Sequence, residues 1–89
     1  FQLRHQPPAV KLANTLTAIQ EAYGEPVEDG VDLFNIPRKD LADLADITPD
    51  EADKIMAKLA EKGWIVEDNA RSVLRLKNTR QLAHLAGRL

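Results

Sequence analysis

RKDLADLADITPDEADKIMAKLAEKGWI, residues 38–65, is the stretch on which the fold turns. Leu41, Leu44 and Ala45 fall at i, i+3 and i+4, which predicts a short helix with a narrow apolar stripe and with Lys39, Asp40 and Asp43 in water. Asp46 breaks that run. Aspartate is among the non-glycine residues that best tolerate a positive φ, so a tight turn is expected there. A second helix then announces its start. Thr48 suits the N-cap, Pro49 the first helical position, and Glu51 lies three residues after the threonine, which together make a capping box with proline at N1. Ala52, Ile55, Met56 and Leu59 form its buried stripe, and Gly63 supplies the left-handed residue on which helices commonly end. Asp50, Lys54 and Lys58, at i, i+4 and i+8, are left on the exposed face.

Beyond Gly63 the period changes. Residues 64–67 and 73–76 are β-prone runs separated by Asp68, Asn69, Ala70, Arg71 and Ser72, which reads as a hairpin with a polar loop. Two short helices and a hairpin make a helix-turn-helix followed by a wing. In that geometry the second helix stands out from the body, where its outer face can enter a DNA major groove. A plain helical hairpin in a small domain is the competing reading, and the wing weighs against it.

Upstream, Ala9, Leu12, Ala13, Leu16, Ile19 and Tyr23 keep helical spacing up to Gly24 and Pro26. Residues 25–30, EPVEDG, read as an acidic turn, and residues 31–34 as a short strand able to pair with the wing. Thr79 is placed to cap a last helix with Leu82, Leu85, Ala86 and Leu89 on one face. Residues 1–8, with two prolines, read as a linker or the end of a preceding element. The fold class is therefore mainly α with a small antiparallel sheet: a three-helix core, a β-hairpin wing and a C-terminal helix over residues 9–89.

A chain of 89 residues with 44% hydrophobic composition builds one modest core, which speaks for one domain. No cysteine is present, which excludes a disulfide framework, thiolate metal ligands and a thiol nucleophile. No apolar run approaches the roughly 20 residues of a membrane span, and cytoplasmic residence is the expectation. The net charge of −2 hides an asymmetry. Residues 21–53 carry −9 and residues 71–89 carry +5, so a basic wing and tail can meet phosphates while the acidic middle faces elsewhere.

The order of elements, taken with KLANTL (residues 11–16), RKDLADLADIT (38–48), TPDEADKIMAKLAEKGWI (48–65) and VLRLKNTRQLAHLAG (73–87), resembles the DNA-binding domain of the cyclic-AMP receptor protein and Fnr (Crp/Fnr) family of bacterial transcription regulators. The resemblance spans most of the chain. It implies an upstream cyclic-nucleotide-binding-like sensor with its own effector, a dimerisation helix, a homodimer on a palindromic duplex, and RNA polymerase as a further partner. No cofactor is implied for this domain itself.

Carried over by position, Arg38 matches an arginine that opens the first helix and grips a phosphate. Thr48 stands for the capping serine or threonine that also touches backbone, and Pro49 for a position that is a base-reading arginine in some relatives and proline in others. Asp50 stands for a glutamate that accepts from cytosine, and Lys54 for an arginine that grips guanine, though without the bidentate fork. Glu51, Lys58 and the wing-tip Arg71 complete the set of expected DNA-contacting residues. Asp53 occupies a place that is glycine or small in relatives and adds negative charge to the approaching face.

Arg75, Lys77 and Arg80 are expected to be surface charges with some phosphate contact, and Trp64 a core anchor. His5 and His84 are far apart and form no metal pattern. Acid–base pairs, nucleophile motifs and glycine-rich phosphate loops are not recognisable, so the expectation is no enzyme. Two classes stay open beside DNA recognition: a winged helix turned to protein contacts, which the acidic second helix would suit, and, last, a fragment of an enzyme.

Overall fold

The computed structural model describes residues 6–87. Helix α1 (Pro8–Tyr23) starts without a side-chain cap but with proline in its first turn, where the missing N–H costs nothing. It packs on α2 (Arg38–Ala45), α3 (Pro49–Glu61), α4 (Thr79–Leu85) and the second strand, so it is the hub of the core. Leu12, Ala13 and Leu16 of α1 are fully buried. Buried Thr17 satisfies its hydroxyl by donating to the Ala13 carbonyl at 2.8 Å.

Four antiparallel strands, β1 (Glu25–Val27), β2 (Gly30–Phe34), β3 (Ile65–Asp68) and β4 (Val73–Leu76), lie in the order β1-β2-β4-β3. The predicted pairing of residues 31–34 with the wing is present: Val31 faces Leu76 and Phe34 faces Val73. The stretch read as an acidic turn is a strand followed by a two-residue turn, with Glu25–Val27 pairing against β2. A three-residue edge strand carries too little period-2 signal to be seen without its partner. Cross-strand neighbours share a face. Val31, Leu33, Ile65, Leu74 and Leu76 thus turn to the helices, while Asp32, Val66 and Arg75 turn to the outer face.

Three side chains depart from expectation. Leu44 is 66% exposed and Tyr23 81% exposed, although helical spacing placed both on apolar stripes. In α2 the buried set is Leu41, Ala42 and Ala45, because α2 is wedged against both α1 and α3 and its inward face is rotated toward Ala42. Tyr23 is the last residue of α1, beyond the reach of the core. The last helix is capped by Asn78, whose Oδ1 accepts from the Gln81 N–H at 3.1 Å, so Thr79 is its first residue and not its cap. Leu82 and Ala86 are buried there as expected, and Leu89 lies outside the described residues. Trp64 is half-buried against the core, with the Lys62 ammonium 5.3 Å from its ring centroid.

Candidate functional site

The site is built around α3. Both halves of the predicted capping box form: the Glu51 N–H donates to Thr48 Oγ1 at 3.1 Å, and the Thr48 N–H donates to Glu51 Oε1 at 2.9 Å. Asp50 and Glu51 add negative charge beside the positive end of the helix dipole. Ala52, Met56 and Leu59 are buried, Ile55 packs against the core, and Gly63 takes φ 77° just past the last turn. Asp50, Asp53, Lys54, Ala57, Lys58 and Glu61 therefore form a continuous exposed face, charged at every position but Ala57.

The turn into α3 rests on Asp46, left-handed at φ 60°, whose N–H reaches back to the Ala42 and Asp43 carbonyls. The Ile47 N–H also donates to the Ala42 oxygen, at 3.1 Å. Lys11 of α1 fastens this corner, its Nζ lying 3.4 Å from the Asp46 carbonyl oxygen and 3.7 Å from its carboxylate. A left-handed aspartate thus does the work of a glycine in aiming one helix across the other.

Arg38 opens α2 and is shared between two other elements. Its Nη1 donates to Asp53 Oδ1 of α3 at 2.5 Å, and its Nη2 donates to Glu67 Oε2 of β3. A cation at a helix N-terminus opposes the dipole, and two carboxylates offset that. The three groups carry a net −1. Asp53 and Glu67 thus converge on the arginine expected to meet phosphate.

Beside them a cleft of about 380 Å³ is lined by Asn35, Ile36, Pro37, Arg38, Glu67, Asn69 and Ser72. Asn35 and Ser72 both hold positive φ, 56° and 54°, and the Asn35 N–H donates to the Ser72 carbonyl at 2.9 Å. The helix-turn-helix and the inner edge of the wing are in contact through this corner.

Among the predicted site residues, Thr48, Pro49, Asp50, Lys54 and Lys58 are exposed along α3, and Glu51 is partly covered by its cap bonds. Lys54 and Lys58 have no ion pair among the described residues. Arg71 is exposed in the wing loop but sits over the outer face of the sheet, where its charge acts on Asp32. Arg75 is also on the outer face, donating to both oxygens of buried Asp32 at 2.7 and 3.2 Å. That hydrogen bonding holds the Asp32 carboxyl below the usual carboxylate range against the cost of burial, and raises the Arg75 guanidinium above its ordinary value. Asp32, Asp53 and Glu67 were absent from the predicted site. Only alternation along 31–34 could have hinted at Asp32, and no local signal links the other two to Arg38.

Over residues 10–85 the chain matches the model of the Crp-like helix-turn-helix domain. It belongs to that family. None of the curated proteins searched matches this Crp-like domain. Solved structures do: the CO-dependent transcription factor CooA from Carboxydothermus hydrogenoformans in its imidazole-bound form superposes with a TM-score of 0.79 at 19% identity, over 88% of this chain and 36% of that one. A CRP-family transcriptional regulator from Thermus thermophilus, TTHB099, gives 0.78 at 17% identity over 96% of this chain and 43% of its own. The catabolite activator protein of Thermus thermophilus gives 0.74 at 19% identity, over 92% and 35%. At these identities the likeness is one of fold, a winged helix-turn-helix found in transcription regulators. The Crp-like domain spans about 35 to 43% of the length of these neighbours. No helix among the described residues is long and apolar enough to cross a membrane.

Proposed function

We propose that this chain binds double-stranded DNA sequence-specifically, as the C-terminal unit of a Crp/Fnr-type transcription regulator. Residues 48–62 enter the major groove and the wing, residues 64–76, lies along the backbone. The observation that carries this reading is the exposed face of α3 bearing Asp50, Lys54 and Lys58, with its capped N-terminus accessible and the wing strand β3 beside it through Arg38. Lys54 reads guanine as a single cation, Asp50 accepts from cytosine, and Thr48, Lys58, Arg38 and Arg71 meet the backbone. Pro49 and Glu51 hold the first turn in the shape the groove receives. In the full-length protein, an upstream sensor with its own effector and a dimerisation helix pair two such domains on a palindromic site.

The test is duplex titration by fluorescence anisotropy, first at low and then at physiological salt, on a site selected from random sequence. Binding is expected to weaken steeply with salt, through counterion release, and Lys54→Ala to cost about 1 to 3 kcal/mol on the preferred site. A folded, dimerised protein that binds no duplex at low salt overturns the proposal. That result would favour the second reading, a protein-contact surface, which the acidic first turn of α3 with Asp50 and Glu51 suits.

A further inference from the structure

We infer that Asp53 and Glu67 are affinity-setting residues of the DNA-binding surface, because they hold Arg38 in competition with the phosphate it would otherwise grip. The inference rests on the DNA-binding reading and adds to it a residue pair whose chemistry opposes binding. Arg38 belongs to α2 and reaches both α3 and β3, and both its terminal nitrogens are engaged by carboxylates. A phosphate has the same chemistry for a guanidinium as a carboxylate: an anion accepting from the same N–H fork.

Phosphate contact at Arg38 is therefore an exchange. One or both carboxylates must let go, and each then stands unpaired beside a polyanion. The side chains are accessible enough for that exchange, with Arg38 29%, Glu67 33% and Asp53 60% exposed. Pairs at such exposure are worth little individually, which makes the latch reversible. The cleft lined by Arg38, Glu67, Asn69 and Ser72 adjoins the pair and leaves room for the guanidinium to swing away from it. Asp53 precedes Lys54 on the exposed face, so the same carboxylate also weakens the field around the proposed guanine reader.

Removing the carboxylates is then a gain of binding. The double variant Asp53→Asn/Glu67→Gln is expected to bind a mixed-sequence duplex about 5-fold more tightly than the wild type at low salt, the equivalent of about one exposed ion pair no longer broken. Simple removal of negative charge would do something similar, so the deciding measurement is a cycle with Arg38→Met. If the carboxylates occupy Arg38, Arg38→Met costs the wild type only the added repulsion of two unpaired carboxylates, and costs several-fold more in Asp53→Asn/Glu67→Gln, where the guanidinium is free to meet phosphate directly. Circular dichroism establishes that all four proteins are folded.

An equal cost of Arg38→Met in both backgrounds overturns the latch and leaves the DNA reading intact. A larger cost in the wild-type background, with weaker binding by the double variant, also overturns it and makes the triad a brace between α3 and the wing. Absence of binding by all four proteins at low salt rejects both the latch and the DNA reading on which it rests.

Discussion

Replacing Thr48 by alanine removes the acceptor that closes the first turn of α3, and the structure allows the size of the effect to be worked out. Two hydrogen bonds make the box, at 3.1 and 2.9 Å, each accepted by one residue's side-chain oxygen from the other's backbone N–H. Both are near solvent, so water takes over part of what is lost, and N-cap replacements by alanine typically cost about 1 kcal/mol within a range of roughly 0.5 to 2. In a domain of this size each kcal/mol lowers the melting temperature by about 4 to 8 °C. Thr48→Ala should therefore melt about 4 to 8 °C below the wild type by far-ultraviolet circular dichroism.

Thr48→Ser should recover most of that loss, since it keeps the acceptor. Thr48→Asp should also recover it, its charge favoured at the positive end of the helix, yet should bind duplex more weakly than Thr48→Ser because it adds an anion at the proposed groove-facing end. Glu51→Ala combined with Thr48→Ala should cost less than the two separate losses added, because the bonds are reciprocal. A Thr48→Ala protein that melts with the wild type would refute the cap as a determinant of α3.

The remaining expectations concern the sheet. Gly30 has φ 149°, and a Cβ there would lie 2.1 Å from the Leu76 carbonyl oxygen, where β2 and β4 pair, so Gly30→Ala has backbone to displace. It should destabilise by more than about 2 kcal/mol, read from urea unfolding, and a midpoint within error of wild type would contradict the register. For Asp32 the carboxyl is depressed in the folded state, so the unfolded chain binds more protons near its ordinary range. The stability it supplies is complete above that range and is lost as pH falls through the lower, folded value. The melting temperature of Asp32→Asn should accordingly lie below wild type at pH 7 and converge on it in acid. A gap that stays constant with pH would mean that the Arg75 pair does not set the acid limb.

Much of the architecture could be read without coordinates because its signals are short-range. Thr48, Pro49 and Glu51 start α3 through bonds between neighbours, the buried Ala52, Met56 and Leu59 recur at the helical period, and Gly63 ends the helix within one turn. The left-handed Asp46 and the pairing of β2 with β4 follow from residue preference and alternation in the same way. Apolar period alone does not fix the phase of an eight-residue helix that packs on two partners, so Leu44 lay exposed and Ala42 inside. Asn78 displaced Thr79 as a cap because both residues can accept, and only the path of the chain after β4 chooses between them.

What tertiary structure alone decided are the charge partners. Arg38 meets Asp53 and Glu67 across 15 and 29 residues, and Arg75 meets Asp32 across 43. Charges act through space, and the chain's summed charge by segment says nothing about which carboxylate a folded corner brings to which guanidinium. The outward helix was written in local chemistry, whereas the electrostatic state of its arginine exists only once α2, α3 and β3 are assembled.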